Sequence, residues 1–158
     1  MGLYLSLGLV VRAHLLNFNG IVNCKSNPGI SIQQGTTNDV QACSEFCEEH
    51  YRAGRNREIK EAVVAGSLFI ARQRGSIAGF TTGIGFSGFS VARNNDVLKS
   101  LIVNQETIEP PGMLIPATNQ ALVKYCLNSG LKINQSMNLM TMGEYVEPIG
   151  GWLPSINF

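Results

Sequence analysis

Leu68-Phe69-Ile70-Ala71-Arg72-Gln73-Arg74-Gly75-Ser76-Ile77-Ala78-Gly79-Phe80-Thr81 decides the fold class of this 158-residue chain. Two strand-like apolar runs, residues 68–71 and 77–81, flank Arg74-Gly75-Ser76. A tight connection between strands needs backbone at positive φ, which glycine adopts without steric cost. The stretch therefore predicts a hairpin, and a hairpin makes its strands antiparallel. A sheet founded on such a pair is not the parallel sheet of a doubly wound α/β protein.

Upstream, residues 30–34 (ISIQQ) alternate apolar and polar, the period of a short strand. Gly35-Thr36-Thr37-Asn38-Asp39 supplies a turn and cap candidates, with Asp39 in the first helical turn. Val40, Cys43, Phe46, Cys47, His50 and Tyr51 then recur on one helical face, with Glu45, Glu48 and Glu49 opposite. After Ala53-Gly54 a second helix runs from about Arg57 to Gly66, a residue suited to the position just past a helix end.

Downstream of the hairpin, glycines at 83, 85 and 88 lie in an extended-looking run ending at Val91. Asn94-Asn95-Asp96 caps a helix carrying Val97, Leu98, Leu101 and Ile102. Pro110-Pro111-Gly112 ends the next loop, and Met113-Leu114-Ile115 reads as a short buried strand. Asn119 caps a late helix with Leu122, Val123, Cys126 and Leu127, closed by Asn128-Ser129-Gly130. One or two strands follow, through Leu131, Ile133, Met137, Leu139 and Met140. The tail from Tyr145, with Pro148, Gly150, Gly151 and Pro154, reads as ordered coil. The expected fold is α+β: a single domain with a mixed sheet, antiparallel in its first half and flanked by helices. Pro28-Gly29 marks its start, so residues 1–28 are set apart as an N-terminal extension carrying an extra strand or an interface arm, and 29–158 as the domain.

Composition excludes several classes of function. Twelve Lys and Arg against 11 Asp and Glu leave a formal charge of +1, no electrostatic footprint for nucleic acid or an anionic membrane. The apolar run at residues 3–11 is too short to span a bilayer as a helix, and no cation precedes it as in a signal peptide. Four cysteines are too sparse for a disulfide scaffold, which points to a reducing, cytoplasmic setting. Cys43, Cys47 and His50 fall short of the four ligands of structural zinc and read as core residues of a helix, so no metal is expected. Gly83-x-Gly85-x-x-Gly88 has the spacing of a dinucleotide loop but does not open a helix, where the pyrophosphate would sit; strand glycines are the better reading.

Over roughly residues 30–142 the element order resembles the GNAT superfamily of acyl-CoA-dependent N-acyltransferases. Ile32-Gln33-Gln34-Gly35-Thr36-Thr37-Asn38-Asp39 is similar to the family's first strand and "x-A-T-x-x-D" helix start. Phe69 to Phe80 looks like its second and third strands, where "G-x-I-x-G-F" is common. Asn119 to Leu131 resembles its late "N-x-x-A-x-x-x-Y-x-x-x-G-F" helix, with Asn119 and Gly130 at the family spacing. The ending, from Leu139 to Ser155, resembles a subgroup in which such a domain often follows another.

The resemblance implies a slot between two diverging central strands. The pantetheine arm would lie there along unpaired backbone, and the pyrophosphate on amides at the next helix start. In this chain it places acetyl-CoA, as co-substrate, on Ser90, Val91, Ala92, Arg93, Asn94 and Asn95, with Asn119 from the late helix. The chain departs from the family's "[QR]-x-x-G-x-[GA]" loop: no glycine lies between Val91 and Leu101, and Asp96 at the helix start repels an anion. The family's tyrosine acid falls on Cys126, with Tyr125 one residue earlier and about 100° around the helix. Cys126 and Tyr125 are the implied catalytic residues; beside that stands the reading of Cys126 as a small buried core residue.

Two functions follow from the resemblance. One is acetyl-CoA-dependent N-acetyl transfer to a small-molecule or peptide amine, by direct attack in a ternary complex. The alternative is a catalytically inactive GNAT-fold module for ligand binding or dimerisation. Tyr145, Trp152 and Phe158 of the tail, with the apolar N-terminal arm, either form a partner surface, hence a homodimer, or pack back on the chain's own sheet.

Overall fold

A computed structural model describes residues 2–156. A short exposed helix, α1 (Gly2–Ser6), precedes the long strand β1 (Val10–Ile21) and the short β2 (Ser31–Gln34). A 3-10 turn, Thr37–Asp39, leads into α2 (Val40–Tyr51), and its Asp39 accepts hydrogen bonds from the Thr36 amide and hydroxyl at 2.9 and 2.8 Å. The α2 stripe Val40, Cys43, Phe46, Cys47 and Tyr51 is buried, as its spacing predicts. α3 (Asn56–Ala65) ends at Gly66, whose φ of 69° is the left-handed stop read from the sequence.

β3 (Phe69–Gln73) and β4 (Ser76–Thr81) form the expected hairpin. Arg74 and Gly75, at φ 53° and 79°, make the two-residue turn, and Gln73 faces Ser76. β5 (Ser90–Ala92) is only three residues long, because 82–89 with its glycines is a loop. α4 (Asn95–Asn104), β6 (Thr107–Pro116), α5 (Gln120–Asn128), β7 (Lys132–Thr141) and β8 (Gly151–Leu153) complete the chain.

Among the described residues the strands form two sheets, β2-β3-β4-β5-β8 and β6-β1-β7, and every pairing is antiparallel. The α+β class stands, but the sheet is divided: β5 and β6, consecutive strands joined through α4, belong to different halves. One core cluster gathers Leu98, Leu101 and Ile102 of α4 with Phe18, Ile108, Met113, Leu122 and Cys126. The other gathers Cys43, Phe46, Cys47 and Tyr51 of α2 with Ile59, Ile70, Phe80, Phe89 and Trp152. Burying each large side chain contributes about 1.5–3 kcal/mol, so the two clusters hold the sheets between them.

Three segments find their place only in the structure. Within residues 1–28, β1 lies in the middle of the three-stranded sheet, with Phe18 fully buried. Pro110-Pro111-Gly112 lies inside β6 rather than ending a loop. The β1–β6 register shifts between Phe18 and Gly20, and the bulge accommodates prolines that have no N–H to give. The tail, read as coil, contributes β8, and Trp152 packs back into the core at 4% exposure. Phe158 lies outside the described residues. No helix among the described residues is long and apolar enough to cross a membrane.

Candidate functional site

The two sheets part where β5 runs through Arg93-Asn94 into α4 and β6 runs through Ala117-Thr118-Asn119 into α5. Both helices open with asparagine chemistry. Asn95 and Asn119 exchange side-chain hydrogen bonds at 2.8 and 2.9 Å, tying one helix start to the other. Beside them lies a cleft of about 390 Å³, lined by Arg93, Asn94, Asn95, Pro116, Thr118 and Asn119 and closed by Glu147, Pro148, Gly150 and Trp152 of the tail. Thus Arg93, Asn94, Asn95 and Asn119, four of the seven residues implied for the cofactor, come together.

The helix-start amides of this cleft are already engaged. Asn94 Oδ1 accepts from the Asp96 and Val97 amides, both at 3.1 Å, so the helix-start donors an anion would use are capped from within. The Asp96 carboxylate is held by Lys99 Nζ at 3.0 Å, which offsets the negative charge at this helix start. Arg93 is exposed and gives one N–H to the Ile77 carbonyl at 3.2 Å; its guanidinium carries further donors.

Ser90, Val91 and Ala92, the other three, are buried and paired edge to edge with Leu153, Trp152 and Gly151 of β8. The tail is pinned on both sides of this pairing: the Ile149 amide donates to the His50 carbonyl at 2.6 Å and the Ile156 amide to the Phe86 carbonyl at 3.0 Å. Gly150, at φ 85°, presses on the end of β5; a Cβ there would collide with the Ala92 carbonyl and sit 2.8 Å from the Arg93 oxygen. A Cβ on Gly151 would stand 3.1 Å from both the Asn94 oxygen and Leu98 Cδ2. The interval between β5 and β6 thus exists, and the chain's own tail lies in it.

Cys126 and Tyr125 do not line this cleft. Cys126 is fully buried on the core face of α5, and burial, reinforced by Cys24, pushes its thiol up to about 12. Tyr125 lines a separate pocket of about 120 Å³ with Asp96, Lys99 and Lys25, and Lys99 Nζ lies 5.2 Å over its ring. Burial and a hydrogen bond with Cys24 push its phenol up to about 12. Burial likewise raises Cys43 and Cys47 to about 12, and His50 stacks on Phe46 with ring centroids 4.0 Å apart. Sequence reasoning missed the tail residues of the cleft. Their signal was Gly150-Gly151 ahead of the chain's one tryptophan: two positions for close backbone approach beside one large anchor.

No protein-family model matches the sequence, and no curated protein matches it. Solved structures do match. A candidate acetyltransferase of Pyrococcus horikoshii superposes with a TM-score of 0.69 at 16% identity, over 96% of this chain and 53% of its own. A GNAT-family acetyltransferase of Colwellia psychrerythraea superposes with a TM-score of 0.59 at 12% identity, over 83% of this chain and 56% of its own. The fold is therefore GNAT-like, and the chain spans about half the length of the solved proteins it matches.

Proposed function

We propose, on a fold shared with GNAT acetyltransferases, that the chain is an acyl-CoA-dependent acyltransferase domain acting on an amine. The observation that carries this reading is the parting of β5 and β6, with Arg93, Asn95 and Asn119 gathered where they part. Arg93 would meet a phosphate, and the backbone edge of Ser90, Val91 and Ala92, which β8 holds here, would meet an extended arm once β8 leaves it. In direct transfer the amine nitrogen attacks the thioester carbonyl: an N–C bond forms, the C–S bond breaks, and sulfur leaves as the thiolate. The proton lost by nitrogen passes to that thiolate or to water. With Cys126 sealed in the core and Tyr125 in another pocket, holding the two reactants in place supplies most of the acceleration.

Acetyl-CoA at millimolar concentration should raise the melting temperature, since a ligand at about 100 times its Kd adds roughly 2.7 kcal/mol. Arg93→Ala and Asn95→Asp should each reduce the shift. Absence of a shift in both the unmodified chain and the Gly150→Val variant used below would reject the reading.

A second reading, a GNAT-fold module without turnover, is favoured by the Asn94 cap that closes the α4 amides. It expects no acetyl-CoA shift in either protein. Its dimerisation arm would use the exposed Leu3, Tyr4, Leu5, Leu7, Val10 and Val11, and a monomer mass by light scattering would count against that arm.

A further inference from the structure

We infer that residues 149–156 form a displaceable strand that regulates the cleft: the docked tail and bound acyl-CoA exclude each other. The inference rests on the acyl-CoA reading above and adds to it a reason for the closed state.

The tail occupies the backbone a linear ligand would need. Gly151, Trp152 and Leu153 take the open edge of β5, and Ile156 extends the contact to Phe86. Close approach at the β5–α4 turn is possible only because residues 150 and 151 have no side chain. The docked tail also brings the Glu147 carboxylate into the same cleft as Arg93, where it opposes an incoming phosphate.

The attachment is local, and therefore reversible without unfolding the domain. It consists of a three-residue strand, two flanking hydrogen bonds and two large buried side chains, Trp152 and Leu153, one in each core cluster, between the exposed Ile149 and Ile156. Trp152 is the larger of the two, edge-on to Tyr51 with centroids 6.3 Å apart. When the binding-competent form is a minor fraction, apparent affinity falls by that fraction, so a docked tail weakens acyl-CoA binding in proportion to its hold.

Trp152 is the chain's one tryptophan, so its emission reports tail docking directly. Acetyl-CoA is titrated into the full chain and into Gly150→Val, following Trp152 emission and, by calorimetry, binding. The inference expects emission to move to the red in step with binding, and Gly150→Val to bind about tenfold tighter or more. Amide exchange at Trp152 and Ile156 in the unmodified chain, with and without acetyl-CoA, gives the same answer if the variant does not fold. Acceleration supports displacement. Binding with Trp152 emission and exchange unmoved overturns the inference and leaves the acyl-CoA reading standing. A Gly150→Val chain with a released tail that still binds no acetyl-CoA overturns the acyl-CoA reading, and the inference falls with it.

Discussion

Asn95 and Asn119 clasp each other through both amide groups, Nδ2 to Oδ1 in each direction, at 2.8 and 2.9 Å. Asn119 Oδ1 also accepts from the Leu122 amide at 3.3 Å, so one side chain caps α5 and ties it to α4. Asn119→Ala should cost about 1–2 kcal/mol by loss of the cap. Asn95→Ala leaves the Asn119 amide without its partner and should cost about 1 kcal/mol. Denaturant melts of both single variants and the double should reveal a coupling of about 0.5 kcal/mol or more, because each substitution removes the same pair of bonds.

Trp152 faces Val91 across the β5–β8 pairing and is nearly sealed from water. Trp152→Ala should lower stability by about 3–5 kcal/mol if the tail stays docked over the cavity. A much smaller loss, with fast amide exchange at Leu153, is expected if the tail lifts away instead. Trp152→Phe should fall between the wild type and the alanine variant in melting temperature.

How far the fold could be read from the residues depended on the range of the forces involved. The β3–β4 hairpin, the Asp39 and Asn94 caps and the Gly66 stop were legible because each is settled within a few residues. The partners of β1 and β8 were not, because an edge is chosen by shape across the whole sheet, and nothing near Val10 or Gly151 names β7 or β5. The grouping of the cleft residues was legible to the same extent. Arg93, Asn94, Asn95 and Asn119 follow from helix starts, which are local. Cys126 was placed by spacing along a helix, and spacing does not say that its face points into a dry core.

Thiol chemistry checks that core. Cys24 is exposed, whereas Cys43, Cys47 and Cys126 are buried and held protonated. A thiol reagent should modify Cys24 quickly in the native chain and the other three only at the rate of opening. Fast modification of Cys126, with loss of acetyl-CoA binding, would contradict its burial.

The same thiols set an alkaline limit. Each has a folded value near 12 against an ordinary 9.0, so the folded chain keeps protons that the unfolded chain releases. Their contribution is fully present below pH 9 and is lost as pH rises from 9 towards 12. Stability measured by denaturant titration should decline through that window, and a Cys43→Ala, Cys47→Ala double variant should decline less steeply.

At the acidic end Asp39 has the opposite sign. Hydrogen bonds from the Thr36 amide and hydroxyl, with Arg72 beside it, hold its carboxyl below the ordinary 3.8. Its contribution is present above that value and disappears as pH falls through the lowered one. Asp39→Asn should cost about 1 kcal/mol at neutral pH. The gap from wild type should close as both are acidified below about pH 4.

The position of β1 between β6 and β7 governs how the chain reaches its native state. Leu15 meets Pro116 on one side and Met137 on the other, and this half of the molecule is stitched across long stretches of sequence, from Ile21 to Thr107 at the shortest. Local pieces such as the β3–β4 hairpin can form early, but a strand waiting for both neighbours to be synthesised pays loop-closure entropy before any ladder rewards it. Assembly of the three-stranded half is therefore expected to be the late event of folding, and until it occurs β1 travels with two open edges.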